Sequence, residues 1–209
     1  MALLTLPNYL IENPARLDDL RRHYAEPHRR YHTWSHILAL LDAYAEVKNQ
    51  VSNREAFLLA LYFHDAIYDP MASDNEEQSA QLLLSGAAAN LISEVDRAQA
   101  AAIIRATRSH EPCGNAGSPA RRDCELLLDI DLGILGAPPH AYRNYAHAIR
   151  QEYAHVPDEH FRIGRSHILA AFLSRARIFH SDHFYDRLER QARINIADEL
   201  EALAKENAL

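Results

Sequence analysis

Apolar residues return along this chain every three or four positions, which is the helical period. Leu17, Leu20 and Tyr24 form one stripe after Asn13-Pro14, a pair that reads as an N-cap followed by proline at the first helical position. Ile37, Leu40, Leu41 and Tyr44 form the next, on a helix expected to begin near His32. Asn53 is placed to cap a third helix, which carries Phe57, Leu58, Leu61 and Tyr62 towards His64-Asp65. Ser73-Asp74-Asn75-Glu76 has the form of a capping box and opens a helix through Leu82, Leu83 and Leu84. A further helix is expected from about Ser93 to Arg108. The stretch from Glu111 to Pro119 breaks the period and reads as a loop. Beyond it, Ser118-Pro119 caps a helix that runs through Leu126, Leu127 and Leu128 to Asp131 and ends at Gly133 or Gly136. Pro138-Pro139 and Pro157-Asp158 open two more, and an amphipathic helix from about Asp182 carries Phe184, Leu188, Ile194, Ile196, Leu200 and Leu203.

Composition agrees with the period. Only four valines, three threonines, six glycines and nine prolines occur in 209 residues, so β-branched and turn-forming residues are too scarce for a sheet protein. The expectation is an all-α fold in one domain spanning 1–209, a helical bundle without internal repeat or linker. No apolar run is long enough to span a membrane, and the segment Met1–Pro7 has no basic region and is too short for a signal peptide. A net charge of -7 without a basic stripe argues against nucleic-acid binding. Cys113 and Cys124 form neither a CxxC pair nor a disulfide framework, which fits a reducing cytoplasm.

Thirteen histidines turn attention to metal and proton chemistry. In Tyr31-His32-Thr33-Trp34-Ser35-His36 the two histidines are four apart and, on a helix, would share a face. Such pairs also arise without a ligand. His64-Asp65 ends an apolar helix, where an ionised carboxylate is costly to bury without a cation or a full set of hydrogen bonds; a core histidine beside a solvated aspartate is the plainer alternative. Asp129 and Asp131 interrupt an apolar run and, two apart, point in different directions. Together these residues suggest that His36, His64, Asp65 and Asp131 converge on one divalent transition metal. Two imidazoles and two carboxylates suit Mn, Fe, Co, Ni or Zn.

The ordered set His36, His64-Asp65, Asp131 resembles the HD-domain metal-dependent phosphohydrolases, and within them a branch of uncharacterised bacterial proteins described as predicted HD-superfamily phosphohydrolases. The likeness is carried by Tyr31-His32 with His36, Phe63-His64-Asp65 with Tyr68-Asp69, and Asn75-Glu76-Glu77 with Ser79-Ala80. It continues in Asp129, Asp131-Leu132 and Ile134-Leu135-Gly136, in Ile149-Arg150 with Glu152-Tyr153, and in Glu189, Ala192-Arg193 and Asn195. It covers roughly residues 10 to 205. The resemblance implies an HD-domain-like bundle with metal ligands at His36, His64, Asp65 and Asp131. The Tyr-His-x-x-x-His segment also resembles that of cyclic-nucleotide phosphodiesterases, which implies His32 as general acid and His36 as ligand. Other phosphodiesterase motifs are absent, so cyclic nucleotides are not implied. For His32 the alternative is that it orients Asp65 from outside the ligand set.

The function expected is hydrolysis of a small phosphate ester, plausibly a nucleotide, by metal-activated water that Asp65 orients and with His32 protonating the leaving oxygen. A binding module that senses a nucleotide or metal without turnover is the alternative, and a purely structural metal is a third. His110 is a candidate for a second metal or for phosphate, or simply ends its helix favourably at the dipole. Arg29, Arg30, Arg105 and Arg108 are candidate phosphate clamps. The amphipathic C-terminal helix leaves a homodimer open.

Overall fold

The computed structural model describes residues 6–85 and 91–205, and among them every regular element is helical. The fold is all-α. The chain separates into two compact units, Met1–Ile130 and Asp131–Leu209, although no linker or change of composition marks the division.

The first unit holds α1 (Asn8–Glu12), α2 (Pro14–His23), α3 (Trp34–Val47), α4 (Arg54–Phe63), α5 (Asn75–Leu84), α6 (Glu94–Ala106) and α7 (Pro119–Asp131), whose last residue opens the second unit. At its centre lies α4. Every residue from Ala56 to Phe63 is buried, because α3, α5 and α6 all pack against it. A helix apolar on all sides is a core helix in a protein of this size, and α4 delivers His64 at its C-terminus into that core. Asn53 caps it as expected, accepting the Ala56 N–H through its side-chain oxygen at 3.1 Å. The same asparagine donates to Asp96 and Gln99 on α6. Just ahead of it, the fully buried carboxylate of Asp123 on α7 accepts the N–H groups of Ser52 and Asn53, both at 2.8 Å, and the Gln99 amide at 3.0 Å. One buried charge therefore ties α7 and α6 to the start of α4, with its hydrogen bonds offsetting its desolvation.

Three local expectations change, and one helix was not expected. Helix α3 begins at Trp34, not near His32, so His32 lies in the irregular segment that enters the helix. Asn13 does not cap α2; its amide instead donates to the Tyr9 carbonyl and closes α1. Ser73 opens no capping box, since α5 starts at Asn75 after Asp74 without a side-chain cap bond. Helix α1 itself has no sequence signal of its own. The Glu55 carboxylate, 46 and 47 positions away, accepts the N–H groups of Tyr9 and Asn8 and so supplies the cap that α1 lacks locally. Ser93, where α6 was expected to begin, is its N-cap and accepts the Asp96 N–H, and Ser118 accepts the Arg121 N–H at the start of α7.

In the second unit, a 3₁₀ helix at Leu132–Gly136 leads to α8 (Pro139–Glu152), α9 (Asp158–Ser174) and α10 (Asp182–Lys205). The expected end of the preceding helix at Gly133 or Gly136 thus resolves into an α-helical stop at Asp131 and a tighter continuation to Gly136. Gly136 is required by a close approach: a Cβ there would stand 2.5 Å from Leu188 Cβ on α10 and 2.9 Å from its carbonyl oxygen. On α10 the buried stripe runs through Phe184, Ala192, Asn195 and Ile196, while Ile194 faces outward. Asn195 takes an interior position because its amide donates to the carbonyls of Leu135 and Ala137, both at 2.8 Å, which satisfies the end of the 3₁₀ helix.

Candidate metal centre

Three side chains of the first unit point their ligand atoms at one place. His36, in the first turn of α3, is buried. His64 is the C-cap of α4, and its Nδ1 lies 2.9 Å from the Leu61 carbonyl. A carbonyl only accepts, so Nδ1 carries the proton and donates, which leaves Nε2 as the ligating nitrogen of the neutral ring. His36 Nε2 lies 3.3 Å from His64 Nε2, and Asp65 Oδ2 lies 3.1 Å from His64 Nε2 and 3.9 Å from His36 Nε2. Among the described residues, these three form a group with metal-ligand spacing.

The triangle can be tested against a metal. Sides of 3.3, 3.1 and 3.9 Å admit a point about 2.1 Å from all three corners, which matches the nitrogen and oxygen bond lengths of a first-row transition ion. A proton can join only two of these atoms at once, whereas a divalent cation joins all three. The residues therefore fit a transition metal, and the donor set of two imidazoles and a carboxylate favours Mn, Fe, Co, Ni or Zn over Mg or Ca.

His32 stands at the edge of the cluster. Its Nε2 is 4.0 Å from Asp65 Oδ2, and its ring centroid is 6.0 Å from that of His36. It is partly exposed, whereas His36 and His64 are buried. Rings close around it: Tyr68 lies at 4.2 Å and Tyr31 at 5.1 Å, with Tyr31 also 4.9 Å from His36. The helical-face argument for the His32–His36 pair does not hold, because His32 precedes the helix. Irregular backbone and aromatic packing bring it to the same place.

Arg29 has a different position from the one its residue type suggested. Its side chain is fully buried, where an incoming phosphate would not meet it. The guanidinium donates to the carbonyls of His32, Asp65 and Ala66 at 3.1, 2.7 and 3.0 Å and to the Glu26 carboxylate at 2.9 Å. It also lies over the rings of Tyr24 and Tyr68. In place of a phosphate clamp it is a strut that ties the His32 segment to the turn holding Asp65. Arginine suits this task, since its planar fork meets several carbonyls at fixed angles. No local pattern marks it out, because two of its partners are 36 and 37 positions away.

The turn after Asp65 is fastened from the other side. Ser79 Oγ accepts the Ile67 N–H and donates to the Ile67 carbonyl, and Asn75 exchanges hydrogen bonds with the backbone of Asp69. The Asn75 and Ser79 positions of the resemblance thus hold the ligand turn in place. Glu77 pairs with Arg105, at 2.5 and 2.9 Å, so Arg105 is engaged on the surface. Arg30 donates to the carbonyls of Pro27 and Arg29. Arg108 is exposed on the turn after α6. His110 ends that turn with a φ of 51°, its N–H bonded to the Ala106 carbonyl at 2.9 Å, which is a left-handed C-terminal cap. Asp129 is fully buried on α7, and Asp131 is half-buried at its end, where the second unit begins.

No family model, no curated protein and no solved structure matches the chain.

Proposed function

We propose that this protein is a metal-dependent phosphohydrolase of the HD type that cleaves a small phosphate ester, with nucleotides as the first substrate class to test. The observation that carries the reading is the convergence of His36 Nε2, His64 Nε2 and Asp65 Oδ2, with side lengths that accept a transition metal. The order of these residues along the chain supports it further, as in the HD-domain resemblance. A metal bound here supplies Lewis-acid polarisation of a phosphoryl oxygen and lowers the pKa of water.

The chain's own residues supply the remainder. Leu61 fixes the tautomer of His64 through Nδ1, so that Nε2 is presented as a lone pair. Arg29 holds the carbonyls of His32, Asp65 and Ala66 in one frame, and Ser79 and Asn75 hold the following turn. His32 is accessible where the two metal-facing histidines are buried, and it sits beside Asp65 at a distance that a small movement would close to a hydrogen bond. In this reading it gives a proton to the departing oxygen, the role of a general acid. Asp131 enters the reading as a fourth ligand from its place in an apolar run of the sequence and from the resemblance, and loss of metal from Asp131→Asn tests it.

The direct test is release of phosphate from a panel of phosphomonoesters, phosphodiesters and nucleotides, with Mn, Fe, Co, Ni or Zn supplied in turn. Wild-type protein is expected to hydrolyse at least one class in a metal-dependent manner. His64→Ala and Asp65→Ala are expected to abolish that hydrolysis while the helical circular dichroism persists. Retained activity in either variant overturns the assignment. Nucleotide binding without turnover by metal-loaded wild type would instead favour a sensing module.

A further inference from the structure

Away from the candidate metal centre, the two cysteines of the chain meet. Cys124 is fully buried on α7, and Cys113 is partly exposed in the irregular segment between α6 and α7. The Cys113 backbone N–H donates to Cys124 Sγ at 3.2 Å. One N–Cα bond further on, the Cys113 Cα is therefore within about 4.7 Å of that sulfur, a separation that a disulfide spans without unfolding the segment.

The surroundings are also suited to thiol chemistry. Arg121 reaches across the segment and donates to the carbonyls of Pro112 and Gly114, the two neighbours of Cys113, at 3.2 and 3.4 Å. It therefore holds Cys113 in place and sets near it a positive charge that Glu125, paired with Arg121 at 3.0 Å, partly offsets. Gly114 and Gly117 occupy positive φ values of 86° and 75°, and residues 114–117 are exposed, so small oxidants reach the segment from solvent. Donation from the Cys124 thiol, aided by Arg121, pulls the Cys113 thiol down to about 7, while Cys124 is pushed well above the ordinary thiol range. Of the two, the partly exposed Cys113 sulfur is the one that ionises more readily, and the buried Cys124 sulfur keeps its proton. A low-pKa accessible thiolate beside a second thiol is the arrangement of a reversible redox pair.

We propose that Cys113 and Cys124 are an oxidisable pair, with Cys113 the site of attack on a hydroperoxide and Cys124 the thiol that resolves it into a disulfide. In the first step the Cys113 sulfur attacks the distal oxygen of the hydroperoxide and the O–O bond breaks. The alkoxide or hydroxide leaves and takes up a proton, and Cys113 becomes a sulfenic acid. In the second, Cys124 sulfur attacks Cys113 sulfur, the S–O bond breaks, and water departs with the Cys124 proton. Two thiols and one hydroperoxide give one disulfide, one water and one alcohol, or a second water when the oxidant is hydrogen peroxide. The crosslink would fasten the segment that follows His110 to α7. The inference is independent of the hydrolase reading.

Hydrogen peroxide added to reduced full-length protein, followed by non-reducing peptide mapping, tests it. Wild type is expected to show an intramolecular Cys113–Cys124 peptide with the mass loss of two hydrogens, reversed by dithiothreitol. Cys124→Ser is expected to stop at a sulfenic acid on Cys113 that dimedone traps. Cys113→Ser is expected to lose at least ten-fold of the peroxide reactivity. Alkylation of Cys113 by iodoacetamide in wild type should rise with pH about a midpoint near 7. The proposal is overturned if peroxide drives Cys113 to sulfinic acid without linkage, or if linkage forms only between chains. It is equally overturned if Cys113 reacts no faster in the folded protein than in urea.

Discussion

Two largely buried polar clusters, one in each unit, differ in what their polar atoms face. In the second unit Glu189 is buried, and its carboxylate accepts the N–H groups of Ile178 and Phe179 at 3.0 and 3.1 Å. Arg193 donates to Glu189 and to the carbonyls of Leu173, Arg175 and Ala176, which close the end of α9. Glu189 accepts from backbone N–H groups, while Arg193 and Asn195 donate to backbone carbonyls, so each of these side chains meets backbone of the opposite kind. In the first unit, His36, His64 and Asp65 bring three ligand atoms within 3.1 to 3.9 Å of one another. The first arrangement is complete as a scaffold, and in the function proposed above a cation completes the second. Buried polarity alone therefore says little about function; the sign of the facing atoms decides.

Exchanging the perturbation between the two clusters should separate them. The largest effect is expected at the first: His64→Ala should weaken Co(II) binding more than the 10–100-fold typical of residues one shell removed from a metal, with the visible absorption of bound Co(II) lost and urea stability of the apo-protein little changed. Glu189→Ala should do the reverse. It strands two buried N–H groups and takes one partner from Arg193, so about 3 kcal/mol of stability should be lost in urea unfolding, with metal affinity unchanged. If Glu189→Ala alters metal affinity as much as stability, the comparison fails.

Arg29→Lys lies between the two in kind and in size. A lysine keeps the charge but not the fork that meets three carbonyls, so metal affinity is expected to fall by about 10–100-fold, with a changed Co(II) spectrum. An unchanged spectrum would make Arg29 a general stabiliser without influence on the ligand turn.

The smallest effect belongs to the surface pair. Hydrogen bonding from Arg105 holds the exposed Glu77 carboxyl down to about 2, against an ordinary 4.5. Because the folded-state value is the lower one, the pair's contribution is present above the ordinary carboxylate range and lost as pH falls towards 2. Glu77→Gln should therefore show a slight stability deficit at neutral pH that closes on acidification, and salt should close it as well.

What was legible in the sequence follows the range of the interactions. The apolar period of α4, the Asn53 cap and the placement of His64-Asp65 at a helix end are local, and they stand in the structure. The convergence of His36 with His64 and Asp65 was read from the residue types, in a set that also held Asp131 and beside the alternative of a core histidine with a solvated aspartate; Asp65 is partly exposed. The positions of Arg29, Asp123 and Glu55 were not legible. Each acts on backbone 36 to 71 residues away, and a single arginine, aspartate or glutamate reads locally as a solvated surface charge. His32 shows the converse, in that proximity to the cluster was anticipated through a helix that does not reach it. Ile194, expected on the apolar stripe, faces outward, and Asn195, whose side the sequence did not indicate, is interior because its amide serves the end of the 3₁₀ helix.

The most direct test of the central claim is metal content by mass spectrometry of tag-free protein, wild type beside the double variant His64→Ala/Asp65→Ala. Near-stoichiometric transition metal in wild type and none in the variant is the predicted result. Wild-type protein that holds no metal after reconstitution with Mn, Fe, Co, Ni and Zn in turn would contradict the account.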